Sequence, residues 1–239
     1  MTVQAILFDW TGTLAYLDRR HARDPVAAVC AEVERHTAQL APGSPDRLRD
    51  SFRRLMQQYG DNISLQEFVR RACGGSGLEL DPQTLAAAAR AFGRALMAGQ
   101  VLYDDARAML SSLKYRGYRL AIVSNLVVPA HYVSDHLRDL GAASYIDAIA
   151  TSGDVGHAKP HPAPFRRALE LLDVSPSDAL AVGDSVETDI EGASAAGIPC
   201  VLLDRRDRHP DCPVPRITRL TGLNGILGEG PADRMPGPW

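Results

Sequence analysis

The chain has 239 residues, 45% of them hydrophobic and 23% charged, with a formal net charge of -3. This is the balance of a globular protein long enough to bury a core. An acidic total speaks against a nucleic-acid or anionic-membrane partner, either of which favours a basic surface.

The four cysteines (Cys30, Cys73, Cys200 and Cys212) form no C-x-x-C pair, so neither a zinc site nor a disulfide framework is expected. No stretch reaches transmembrane length and no cationic leader precedes the first strand. The expected setting is cytoplasmic and reducing, with no membrane partner. Only Lys114 and Lys159 are lysines; the remaining positive charge is arginine.

Val3 to Phe8 reads as a buried strand that delivers Asp9 into a small-residue turn, Trp10-Thr11-Gly12-Thr13-Leu14. A polar connection, Ala15 to Arg23, follows. Asp24-Pro25 has the N-cap and first-turn proline of a helix running to about Gln39. Pro42-Gly43-Ser44-Pro45 breaks it, and a second helix is expected from Asp46 to Tyr59, ended by Asp61-Asn62. Ser64 to Glu67 has the form of a capping box opening a third helix to Cys73. Gly74-Gly75-Ser76-Gly77 reads as a loop, and Asp81-Pro82 opens an Ala-rich fourth helix to Met97.

From Tyr103 helices and strands alternate. Helices are expected at Asp104–Arg116, Pro129–Leu140, Pro164–Leu172 and Asp189–Ala196, with strands at Arg119–Ser124, Ala148–Thr151, Ala179–Gly183 and Pro199–Leu203. Apolar strands with short helical crossovers make a parallel sheet covered on both faces. The fold class is therefore α/β: a Rossmann-like, doubly wound parallel sheet as core, with an inserted all-helical cap. The core is residues 1–17 and 99–239, and the cap is residues 18–98. The cap holds 12 Arg against 10 acids, the core 14 basic residues against 19 acidic ones. The tail from Gly228 is expected to fray.

Four strand ends carry polar residues: Asp9 with Thr11 and Thr13; Ser124-Asn125; Lys159 in a Gly156-to-Pro162 loop; and Asp184 with Asp189. Parallel strands share one carboxyl edge, where open α/β sheets bind ligands. A carboxylate nucleophile, two further carboxylates for a divalent cation, and a hydroxyl with an ammonium for phosphate oxygens make a set suited to phosphoryl transfer. Mg²⁺ suits such a site, because it takes few carboxylates and otherwise binds water and substrate oxygen.

F-D-W-T-G-T-L, I-V-S-N, K-P-H-P and V-G-D-S-V-E-T-D, in this order around a helical insertion, resemble the four motifs of the haloacid dehalogenase superfamily. The resemblance covers almost the whole chain. It implies a phosphatase acting on a small phosphorylated metabolite, with Asp9 as nucleophile and an aspartyl-phosphate intermediate. Ser124, with Asn125 and Thr13, would bind the phosphate. Lys159 would neutralise nucleophile and phosphoryl group. Asp184 would ligate Mg²⁺, with Asp189 supporting the metal or Lys159, and with Asp9 and the Thr11 carbonyl as further ligands. Arg20 and His21, just past the first motif, are candidate substrate contacts. A monomer or a homodimer would serve.

Thr11 departs from the pattern, since phosphatases of the family carry Asp two residues after the nucleophile. That acid protonates the leaving group and is worth about 10²–10⁴-fold; Thr cannot supply it at neutral pH. Three alternatives stand beside the phosphatase. A phosphonatase would resemble this D-W-T-G-T, but its cap lysine is absent, since residues 1–113 hold none. A 2-haloacid dehalogenase would not need Asp184 and Asp189. A binding or regulatory protein of low activity would not need Lys159.

Overall fold

The structure is a computed structural model describing residues 3–36, 40–59 and 62–228. The expected helix end at Gln39, the stop at Asp61 and the tail beyond Gly228 lie outside the described residues. Along the chain, β1 (Ala5–Phe8) and β2 (Ala15–Leu17) precede four helices, α1 (Pro25–His36), α2 (Ser44–Tyr59), α3 (Leu65–Gly75) and α4 (Pro82–Met97). β3 (Gln100–Leu102), α5 (Asp104–Tyr115), β4 (Arg119–Ser124), α6 (Ala130–Asp139), β5 (Ala148–Thr151) and α7 (Ser152–Val155) follow. The chain continues through α8 (Ala163–Leu172), β6 (Ala179–Gly183), α9 (Glu191–Ala195), β7 (Cys200–Leu203), β8 (Arg216–Ile217) and α10 (Leu223–Ile226).

Six strands form one parallel sheet in the order β5-β4-β1-β6-β7-β8. The chain builds outward from β1 on one side, then returns to β6 on the other. β1 therefore sits where the strand order reverses, and its carboxyl end opens on the crevice such a reversal creates. Side chains alternate across the strands. Ile6, Phe8, Leu120, Ile122, Leu180 and Val182 pack on one face. The small set Ala5, Leu7, Ala121, Val123, Ala179 and Ala181 faces α8 through Phe165, Ala168 and Leu169.

The connection after the first motif is not wholly irregular. β2 pairs antiparallel with β3, Ala15 opposite Leu102 and Leu17 opposite Gln100. The two passages between the sheet and the four helices are thus hydrogen-bonded to each other as a short ribbon. Asp18 N–H donates to Gly99 O at 2.7 Å, and Gly99 has φ +85° with Ala22 backbone close enough to exclude a side chain.

Among the four helices, Phe52, Phe68 and Phe92 from α2, α3 and α4 form an aromatic trio with centroids 4.9 to 5.6 Å apart. Asp81 caps α4 as expected, accepting from Gln83 and Thr84 N–H at 2.8 and 3.0 Å. Only half of the capping box at α3 is made: Ser64 Oγ accepts from Glu67 N–H at 3.4 Å, while the Glu67 carboxylate turns to Arg70 and Arg71. The glycines expected to form a loop instead continue α3 to Gly75. A methyl on Gly75 would come within 2.6 Å of Ser51 Oγ, so the residue is there for close approach of α3 to α2.

Candidate active site

Asp9 continues the β1 ladder, its N–H donating to Val182 O at 2.9 Å. The carboxylate is 10% exposed, and Lys159 Nζ donates to its Oδ1 at 2.8 Å. Oδ2 is buried with no partner. Lys159 is itself buried, and its other two N–H groups donate to Asp189 Oδ1 at 2.6 Å and Val123 O at 2.9 Å. All three ammonium donors are therefore engaged by protein. Lys159 meets a phosphoryl group chiefly as a charge unless one of these bonds is exchanged.

Asp189 lies inside a π-helical turn, Val186–Ile190, which precedes α9, rather than at the start of a regular helix. This brings its carboxylate back over the β6 end, where Oδ2 accepts from Ser185 N–H at 3.0 Å. A side chain on Gly183 would overlap the Asp189 carboxylate, so only glycine lets it fold back. Gly12 does the same for Asp184. It has φ +97°, and a methyl there would lie 2.6 Å from Asp184 Cγ. The motif glycines thus press two carboxylates against the first strand end.

The ligand oxygens of Asp9, Asp184 and Asp189 lie within 4.8 Å of one another. Three carboxylates facing one ammonium in a buried space cannot all be comfortably ionised. Burial pushes the Asp9 carboxyl up to about 7 against the pull of Lys159, with Asp189 and Asp184 adding to the rise. Asp184 is raised by burial and by Asp189. Asp9 and Asp189 hold Lys159 charged despite its burial. The excess negative charge and the unpartnered Asp9 Oδ2 fit a divalent cation. Asp189, with both oxygens already bonded, fits the support of Lys159 best.

Ser124 is buried at the end of β4 beside this group, and Thr13 is fully buried with its hydroxyl unpartnered. Thr11 is exposed. Asn125, expected at the phosphate, binds the Lys159 backbone from both sides, accepting its N–H at 2.7 Å and donating to its O at 3.0 Å. Arg20 and His21 both turn to Asp18: Arg20 Nη2 lies 2.7 Å and His21 Nδ1 3.1 Å from its Oδ2. Arg20 holds that carboxyl below its ordinary range.

One contributor escaped the sequence. Arg205, just after β7, donates to Thr13 O at 2.9 Å and to both oxygens of Asp105 at 2.9 and 3.1 Å, with its guanidinium 3.8 Å over the Tyr103 ring. Asp105 also accepts Leu220 N–H at 2.9 Å. The turn that carries Gly12 is thereby tied to α5 and to the segment beyond β8. Partners 100 residues apart leave no local signal.

A family model described as haloacid dehalogenase-like hydrolase matches residues 3–197. A phosphoserine phosphatase from Thermus thermophilus is 37% identical over 110 residues, covering 46% of this chain and 43% of that protein, so the chain spans under half of that relative. A phosphoglycolate phosphatase from Yersinia pseudotuberculosis is 31% identical over 170 residues, 66% of this chain and 72% of that one. The crystal structure of a phosphatase of this family from Thermococcus onnurineus matches with a TM-score of 0.63 and 26% identity, over 96% of this chain and 99% of the other.

Proposed function

Because the chain belongs to the haloacid dehalogenase-like hydrolases, we propose that it is a Mg²⁺-dependent phosphatase of small phosphorylated metabolites, working through an aspartyl-phosphate on Asp9. The observation that carries this is the Asp9 carboxylate, bonded by Lys159 on one oxygen and unpartnered on the other in a buried, electronegative group. Its lone pairs remain open for attack and for a cation. The phosphatase names of the relatives support the same reaction class.

In the first step Asp9 attacks phosphorus and the P–O bond to the alcohol breaks, its electron pair leaving on oxygen. Lys159 stays protonated throughout, offsetting the charge of Asp9, and Asp189 holds it in place. Asn125 fixes the peptide from which Lys159 projects, and Ser124 stands at the β4 end for a phosphate oxygen. Water then attacks phosphorus, releasing phosphate and restoring Asp9. Asp9 and Asp184, with the Thr11 carbonyl, would hold Mg²⁺, which when bound supplies positive charge for the phosphate oxygens. Thr11 offers no proton to the departing oxygen, so good leaving groups are favoured. The division at 17/18 and 98/99 accords with the β2–β3 ribbon, which joins both chain passages.

A dehalogenase would leave Asp184, set beside Asp9, without a role, and a purely binding protein would leave Asp9 so. The test is turnover of an activated aryl phosphate with Mg²⁺ and with EDTA, in the native protein and in Asp9→Asn. Mg²⁺-dependent turnover that the variant lacks supports the reading. Full turnover by Asp9→Asn, with no trapped phosphoenzyme, overturns it.

A further inference from the structure

One contact reaches from the helical insertion to the segment carrying Lys159. Asn62, between α2 and α3, accepts a hydrogen bond on Oδ1 from Ala158 N–H at 2.6 Å, across 96 residues of sequence. Asn62 is exposed, but its amide is held at both ends. Its backbone N–H and its Nδ2 both donate to Tyr59 O, at 3.0 and 3.1 Å, so the end of α2 aims the amide.

The position reached matters. Ala158 N–H belongs to the peptide adjoining the one that Asn125 holds. Asn125, on the sheet side, accepts from Lys159 N–H at 2.7 Å and donates to Lys159 O at 3.0 Å. Consecutive N–H groups of one segment are thus gripped by two asparagines, one from each side of the crevice. The Lys159 ammonium at the far end of the same residue is fixed by Asp9, Asp189 and Val123 O.

We propose that Asn62 is a positioning residue for Lys159. Seating of the four helices on the sheet completes the backbone support of that lysine, so that the charge array is fully set only in this arrangement. Asn62 acts through Ala158 and contacts no reacting atom. The β2–β3 ribbon at both chain passages is the place where such seating can be released. The kinetic part rests on the phosphatase reading; the structural part does not.

The experiment compares the full chain with Asn62→Leu and Asn62→Asp. In Asn62→Leu the Ala158 amide loses its acceptor. Hydrogen exchange of the peptide spanning residues 156–160 is then expected to quicken about fivefold, the weight of one net hydrogen bond, while exchange in α5 is unchanged. With an aryl phosphate and Mg²⁺, kcat falls by about the same factor and KM stays within about twofold. Asn62→Asp keeps an oxygen able to face Ala158 but loses the donor to Tyr59 O, so it restores part of both losses. Unchanged exchange in Asn62→Leu overturns the inference. So does a rise in KM alone, which would make Asn62 a substrate contact, or a failure of Asn62→Asp to recover protection. If the native protein turns over no phosphate ester, the proposed function fails, and the exchange measurement still decides the role of Asn62.

Discussion

Arg205→Met is expected to destabilise the protein by about 3–5 kcal/mol, the range for removing one partner of a buried ion pair. Arg205 is 17% and Asp105 3% exposed at the side chain, so solvent cannot replace what is lost. The substitution removes two hydrogen bonds to Asp105, one to Thr13 O, and the stacking over Tyr103, leaving Asp105 with the Leu220 N–H. At roughly 2–4 °C per kcal/mol for a chain of this size, the melting temperature falls by about 6–20 °C. Burial alone would raise the Asp105 carboxyl, but the Arg205 hydrogen bonds and the Leu220 N–H bring it below its ordinary value. A depressed acid contributes stability that is present above its unfolded pKa and lost as pH falls through the folded one. The gap between native protein and variant therefore narrows on acidification below about pH 4. Thermal and urea melts at pH 7 and at pH 3 to 4 measure both effects. Removing both charges as Arg205→Met with Asp105→Leu should cost less than the sum of the single changes. A single-variant loss under about 1 kcal/mol at pH 7 would refute the argument, because it would place the pair in the class of solvated surface bridges.

Gly12→Ala should lower Mg²⁺ affinity and turnover more than it lowers stability, since the new methyl pushes directly on the Asp184 carboxylate; Mg²⁺-induced shifts in melting temperature, with EDTA as baseline, report the affinity. Phe92→Ala opens a void within the aromatic trio of α2, α3 and α4 and should cost about 3–5 kcal/mol, read from urea denaturation. Thr11→Asp should raise turnover of alkyl phosphates by about 10²-fold or more and of activated aryl phosphates far less, because only the former need a proton on the departing oxygen. Equal gains on both substrates would refute the expectation that a missing acid limits alkyl turnover.

The sheet and its reactive edge were legible because a parallel strand carries its direction in its pattern. Once Ala5–Phe8, Arg119–Ser124 and Ala179–Gly183 are buried strands with helical crossovers, Asp9, Ser124 and Asp184 must emerge on one side. Helix starts at Pro82 and Leu65 were legible because Asp81 and Ser64 bond to backbone within three residues. Short and distant features were not. β2 and β3 have three residues each, too few for a periodic signal, and they pair only because the chain returns to its starting point. A Gly-Gly pair reads as a break, yet α3 runs on through it, and at Gly75 a methyl would meet the Ser51 side chain of α2. Asn125 lay in the right motif, but the direction of its amide depends on a loop 34 residues away.

Charge in the site is well provided and protons are not. Lys159 is buried, held charged, and has all three donors engaged, so it cannot hand a proton to a departing alkoxide without breaking the array that fixes it. Thr11 is exposed where an acid would serve. His21 is tied to Asp18, a carboxylate that Arg20 already occupies. Stabilising charge on phosphorus-bound oxygens and protonating the leaving group are separate contributions, and the second is worth about 10²–10⁴-fold only when the leaving group is a poor one. If the proposed mechanism holds, a site strong in the first and bare in the second would discriminate among substrates by leaving-group basicity. Under the proposed mechanism, substrates whose departing oxygen is weakly basic, acyl phosphates and phosphoanhydrides among them, would be turned over fastest.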